Sequence, residues 1–209
     1  TGWNKGQTCG QCHHSRRNRT YIYNAINNGG QRATPHESPQ ADMVAGRGSY
    51  EIPTFTYNRD NQHDFSSSSL ENVCVSCHMY AVATPYPHTN HNFHPDVQAC
   101  VLCHTGTPNF DINGKQTEIQ NLLDQLGQML PNTVNEAGHF IVNIDTRDST
   151  VWSDPMREAA WAWQFAYLDG SKGVHNYNYA FDLLTNAIDH LTPGPMSKGE
   201  PYRNYTWMR

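Results

Sequence analysis

Aliphatic side chains are scarce in this chain. Hydrophobic residues make up 37% of its 209 positions and the mean hydropathy is −0.73, both low for a protein that must bury a conventional core. Charge is scarce too. Asp, Glu, Lys and Arg together reach only 16%, which separates the chain from the charge-rich, unfolded class. No long uninterrupted apolar run occurs, so no transmembrane segment is expected. Nor is there a basic block: 14 Lys and Arg stand against 19 Asp and Glu, for a net charge of −5. A nucleic-acid partner held by phosphate contacts is excluded on that ground. What the chain does have is 12 His, 6 Cys, 11 Tyr and 5 Trp, and a length that allows one or two domains.

The six cysteines fall into three pairs, Cys9-Gly10-Gln11-Cys12, Cys74-Val75-Ser76-Cys77 and Cys100-Val101-Leu102-Cys103. A histidine follows each pair directly: His13, His78 and His104. C-x-x-C-H is the attachment signature of c-type haem. Two thiols three positions apart can form thioethers with the two vinyl groups of one porphyrin, and the adjacent histidine then lies beneath the ring as an axial iron ligand. With 12 histidines in 209 residues, chance would put one behind all three pairs about twice in ten thousand trials. Zinc ribbons use C-x-x-C half-sites but rarely carry a histidine after each. A thioredoxin-like dithiol occurs once, in a strand–helix setting. Structural disulfides would leave the histidines unexplained. The expectation is three covalently attached haem c groups, whose large flat apolar faces give the chain surface to pack against.

Haem c is attached outside the cytoplasm, so a periplasmic or extracellular, cell-surface location is expected. Thr1 begins no signal sequence, and the chain is expected to be a processed or trimmed form.

Nine histidines lie outside the motifs: His14, His36, His63, His88, His91, His94, His139, His175 and His190. A neutral imidazole suits the sixth position of a haem iron, and this surplus points to bis-histidine, low-spin haems. Such irons have no vacant position, which favours electron transfer over substrate binding. Four candidates stand out. His36 lies in the proline-bracketed stretch Thr34-Pro35-His36-Glu37-Ser38-Pro39, expected to be extended. His63 ends a polar stretch before the second motif. His91 belongs to the cluster with His88 and His94 between the second and third motifs, and His175 lies in Gly173-Val174-His175-Asn176, a turn between helices. His14, His139 and His190 are expected to be structural. Four candidates for three haems leave one over, so one assignment fails or one histidine serves a haem outside this chain.

The expected fold class is mainly α with extensive coil, a multihaem cytochrome c domain over residues 1–209 wrapped around its haems, with a C-terminal helical hairpin. Residues 1–110 form the haem-attachment region and 111–209 a helical region with an aromatic tail. A short helix is expected over Ser15–Asn27. Residues 28–72 have little helical periodicity, an unusual length for a loop unless it wraps a cofactor. Ile119, Leu122, Leu123, Leu126 and Leu130 repeat at helical spacing before Pro131. His139–Ile144 is a candidate strand. Asp154 with Pro155 suggests a helix start running to Asp169-Gly170, and Asn178 a cap for the last helix, which Thr192-Pro193-Gly194-Pro195 ends. Residues 196–209 carry Tyr202, Tyr205 and Trp207 and suit a contact with a neighbouring subunit.

C-x-x-C-H with a second histidine, then the run from Pro35-His36 through Ser38-Pro39-Gln40-Ala41-Asp42-Met43 to Gly48, resembles a known pattern. Cys74-Val75-Ser76-Cys77-His78-Met79, His91-Asn92-Phe93 before Cys100, and Asp169-Gly170-Ser171-Lys172-Gly173-Val174-His175-Asn176 continue it. Together these stretches resemble the multihaem cytochromes c related to the pentahaem nitrite reductase and octahaem cytochrome group. The resemblance implies distal ligand roles for His36, His63, His91 and His175. The C-x-x-C-K motif of the ammonia-forming reductases is absent, and fewer attachment motifs are present than in the hydroxylamine-oxidising relatives. The chain looks like the carboxy-terminal, electron-conducting part of that pattern, without its catalytic haem.

The expected function is electron transfer, with redox partner proteins or an extracellular electron acceptor as partners. One form of it is a homopolymer with shared haem ligation, as in extracellular cytochrome filaments. The alternative is a multihaem oxidoreductase reducing nitrite, hydroxylamine or a sulfur oxyanion at a five-coordinate haem. The acidic charge suits a basic or mineral partner.

Overall fold

The computed structural model describes residues 3–29, 31–64, 72–82, 88–89, 92–142 and 145–192. Short helices alternate with coil through the first half: α1 (Gly6–Gly10), α2 (Arg19–Asn27), α3 (Gln40–Val44), α4 (Cys74–His78) and α5 (Val97–Val101). Between α4 and α5 a two-stranded ribbon, β1 (Ala81–Val82) and β2 (His88–Thr89), pairs antiparallel. The second half holds the long helices α6 (Lys115–Met129), α7 (Asp154–Asp169) and α8 (Tyr177–Leu191), with the hairpin β3 (Thr133–Glu136) and β4 (His139–Val142) between α6 and α7. The expected mainly helical fold with much coil, closing on a helical hairpin, is what the chain adopts.

The core lies in the second half because that is where apolar residues recur at helical spacing. Ile119, Leu122, Leu123 and Leu126 of α6 are buried against Trp161, Trp163 and Phe165 of α7 and Tyr179, Leu183 and Leu184 of α8. Each such aliphatic side chain contributes about 1.5–3 kcal/mol by leaving water. The Trp163 indole N–H donates to the Leu123 carbonyl at 2.8 Å, so this large ring is buried with its polar atom satisfied. The strand expected at His139–Ile144 forms over His139–Val142, and Ile144 itself lies outside the described residues. Its partner strand is reached through Ala137 and Gly138, both at positive φ (53° and 90°), as a two-residue hairpin turn requires.

Three local expectations are corrected. The helix expected over Ser15–Asn27 is α2, which starts at Arg19 because the Asn18 side chain accepts from the Tyr21 amide at 2.8 Å. The residue preceding α7 is Ser153 in extended backbone, while Asp154 is already helical and pairs with Arg157 at 2.8 Å. The cap of α8 is Asn176, whose side chain accepts from the Tyr179 amide at 3.1 Å. Asn178 instead donates to the Asp60 carbonyl at 2.8 Å.

The attachment region is built differently. Between residues 72 and 110, Val73 is the one buried hydrophobic residue among those described, whereas Phe93 (61% exposed) and Leu102 (76%) stand uncovered.

Candidate functional site

Each cysteine pair sits on or beside a short helix. Cys9 lies in α1, with Cys12 and His13 just beyond it; α4 contains the whole of the second motif; Cys100 lies in α5, which Asp96 starts by accepting from the Gln98 amide at 2.9 Å. A helical turn places residues three apart on one side of the backbone, so each pair of thiols faces one way. Helix α1 packs on α4, and α4 packs on α5. None of the six cysteines is paired in a disulfide. Burial pushes the Cys74 thiol up to about 11, with the Cys9 thiol beside it adding to the rise. Burial likewise pushes Cys77 up to about 11, helped by neighbouring Cys100 and Cys74, and burial, then Asp96, raises Cys100. These contacts string the motifs in the order first, second, third.

The raised values bear on chemistry. A redox dithiol works through a lowered thiol pKa, and burial moves Cys74, Cys77 and Cys100 the other way. Among the described residues, no group of three or more His, Cys, Asp or Glu side chains is arranged to hold a bare metal ion.

The histidines pair across the chain. The ring of His175 lies 6.1 Å from that of His78, centroid to centroid, with the planes at 42°. The ring of His63 lies 6.2 Å from that of His104, at 83°. Two imidazoles on opposite sides of one iron, each bound through a bond of about 2 Å, have centroids about 6 Å apart, and a twist about that axis leaves the spacing unchanged. The donor set therefore fits haem at the second and third motifs. Among the described residues, no ring faces His13 in this way.

Four of these histidines have a polar partner at Nδ1, which leaves Nε2 as the nitrogen available to a metal. His78 Nδ1 lies 2.7 Å from the Phe93 carbonyl, and His63 Nδ1 lies 2.7 Å from the Val174 carbonyl. His13 Nδ1 lies 3.2 Å from the Gln40 side-chain oxygen. His175 Nδ1 lies 2.6 Å from Asp169 Oδ1, a carboxylate that is 1% exposed. Burial works against a charged His175, yet Asp169 outweighs it and raises the imidazole's pKa.

One turn anchors these positions. Leu168 and Asp169 at the end of α7 accept, through their carbonyls, from the Gln40 amide at 3.1 and 3.3 Å, and Gln40 in turn meets His13. Val174 meets His63, and Asn61 donates to the His175 carbonyl at 2.6 Å while its own oxygen accepts from the His63 amide at 2.9 Å. The segment 35–42 lies against the first motif. Ala41 donates to the His13 carbonyl at 2.7 Å, and the Ser15 hydroxyl donates to the Pro35 carbonyl at 2.9 Å. Asp42 accepts from the Ser15 amide, and burial raises its carboxyl.

The other sequence candidates divide. His36 is half-buried with an Nδ1 that has no hydrogen-bond partner. The expectation that its stretch is extended is corrected: His36 and Ser38 both take left-handed backbone, at φ 70° and 65°, a conformation rare outside glycine and concentrated at functional sites. His91, the His88 side chain and the aromatic tail at 196–209 lie outside the described residues. His139 meets Asp124 at 3.0 Å, His190 meets Glu158 at 2.7 Å, and His14 Nδ1 lies 2.8 Å from the Ser15 carbonyl. Asp169 and Gln40 were not among the sequence candidates; the one signal for Asp169 is its spacing of six residues from His175.

No family model and no curated protein matches the chain. Among solved structures, it is similar to the outer cell wall cytochrome OcwA, with a TM-score of 0.58 and 23% identity over 90% of this chain. The match covers 35% of that protein, so the chain spans about a third of its length. The fold is that of part of a cytochrome. Among the described residues, no helix is long and apolar enough to cross a membrane.

Proposed function

We propose that the protein is an electron-transferring multihaem cytochrome c that carries three haems, with bis-histidine ligation at the second and third motifs. Cys9 and Cys12, Cys74 and Cys77, and Cys100 and Cys103 hold the porphyrins, and His13, His78 and His104 supply the proximal ligands. His175 completes the second site and His63 the third. The observation that carries the reading is the spacing of two histidine pairs, 6.1 and 6.2 Å, each pair joining a motif histidine to one distant in sequence. Haem supplies the one-electron chemistry of its iron.

The chain's own residues do the rest. Phe93 and Leu102 offer apolar surface beside the motifs, and the hydrogen bonds at Nδ1 of His13, His63, His78 and His175 fix the orientations of those four rings. The first motif takes its second imidazole from His36 or His91, and the histidine left over is available to a haem beyond this chain. That surplus supports an assembled form, a filament with shared ligation, as an elaboration of the same reading. A periplasmic or cell-surface location is supported by the attachment motifs and by likeness to a cytochrome whose name places it in the outer cell wall.

Intact mass and the ferric spectrum test this together. The polypeptide should gain about 0.6 kDa per attached porphyrin, about 1.8 kDa in all, and the oxidised protein should be low-spin throughout. No mass gain would overturn the reading. A high-spin ferric component in the native protein would favour the alternative, an oxidoreductase with an open haem for nitrite, hydroxylamine or a sulfur oxyanion. His36→Ala and His91→Ala then separate the two remaining ligands: only the variant lacking the true ligand should acquire a high-spin band.

A further inference from the structure

The four candidate ligands with described Nδ1 contacts differ in what holds that atom. For His78 and His63 it is a backbone carbonyl, for His13 a neutral side-chain amide, and only for His175 a carboxylate. Hydrogen bonds to an ionised acceptor are roughly twice as strong as neutral ones. Asp169 is also poor in other countercharge. Its side chain is 1% exposed, its second oxygen accepts from the Ser171 amide at 3.2 Å and from the Ser171 hydroxyl, and among the described residues its one ion pair is with His175. A carboxylate buried in this way is costly unless positive charge lies close by. Through a ligating imidazole, that charge is larger when the iron is ferric.

We infer that Asp169 is a positioning residue that makes the second-motif haem the hardest of the three to reduce. The inference rests on the proposal that His78 and His175 are that haem's two ligands. The Asp169 carboxylate pulls the His175 Nδ1 proton toward itself, the ring becomes a stronger donor at Nε2, and the oxidised iron is stabilised over the reduced one. Ser171 moderates this, since its amide and hydroxyl both draw on the carboxylate's electron density. The placement is built into the turn: left-handed backbone at Gly170, Lys172 and Gly173 folds the chain back so that Asp169 meets a histidine six residues on. It also puts the most reducing site in the middle of the series of motifs.

The test is a potentiometric titration of the haem-loaded full chain, followed by absorption and electron paramagnetic resonance. Asp169→Asn should move one of three midpoints in the positive direction and change the signal of one low-spin ferric component, leaving the other two in place. Ser171→Ala keeps the carboxylate and removes one of its donors, so it should move the same midpoint in the negative direction. Three unchanged midpoints in both variants would overturn the inference. Should Asp169→Asn lose the ligand and turn high-spin, Ser171→Ala decides alone: a negative shift supports the inference, and no shift defeats it. His175→Ala separates this from the reading beneath it, because an unaltered low-spin spectrum there would remove His175 as a ligand altogether.

Discussion

Replacing His175 with alanine is expected to turn one of the three haems from low-spin to high-spin ferric iron and to lower the stability of the whole chain. Two effects are joined in that one side chain. Its ring faces His78 at 6.1 Å, and its Nδ1 holds the buried Asp169 carboxylate at 2.6 Å. On the proposed ligation alanine removes the axial imidazole, and it also leaves the carboxylate without its one ion-pair partner among the described residues. Removing one member of a buried pair costs about 3–5 kcal/mol, which in a chain of this size lowers the melting temperature by about 10 °C. Absorption and magnetic resonance report the spin change, and calorimetry the stability. Added imidazole should restore the low-spin spectrum without restoring the melting temperature, because the small molecule replaces the ligand but not the covalent tether. An unchanged spectrum would remove His175 from the iron.

Gly173→Val is the second large change. Gly173 has φ 92°, and a Cβ there would sit 3.0 Å from Ile119 Cγ1. A β-branched residue in left-handed backbone costs about 1–2 kcal/mol, and forcing extra carbon into a packed site adds about 1–3 kcal/mol. The damage should not stay local. The turn from Leu168 to His175 holds His175 directly, His63 through the Val174 carbonyl and His13 through Gln40. All three haem spectra should therefore be disturbed, with the melting temperature lowered. Gly138→Val is the matching control, since Gly138 has φ 90° but nothing within 4 Å of its added Cβ. It should lose stability through backbone strain alone and keep the native haem spectra. Equal spectral effects from the two variants would defeat the idea of a shared anchoring turn.

The long helices were legible from sequence because their signal is local. The repeat from Ile119 to Leu126 buries as its spacing requires, and the hairpin of α7 and α8 follows from Gly170 and the polar turn after it. Helix starts were less legible. Asn176 and Asn178 are equally good caps by composition. What decides between them is that Asn176 has extended backbone, while the Asn178 amide is taken by Asp60, a residue far away in sequence. The left-handed backbone of His36 was hidden for a related reason: flanking prolines suggest extension, and only contacts such as that of Pro35 with Ser15 set the turn. Motif spacing marks the thiols and their adjacent histidines. It carries nothing about which distant ring faces which, because His63 with His104 and His175 with His78 meet only after the coil segments have wrapped. Asp169 was read as the end of a helix, and it is that; its second role needs the folded turn.

The packing of α1 on α4 and of α4 on α5 has one more consequence. On the proposed reading, this packing makes the middle haem the relay between its two neighbours, so the slower of the two hops would set the throughput. Loss of that middle haem would then be expected to slow passage between the outer two far more than loss of either end, while each outer haem could still take up charge.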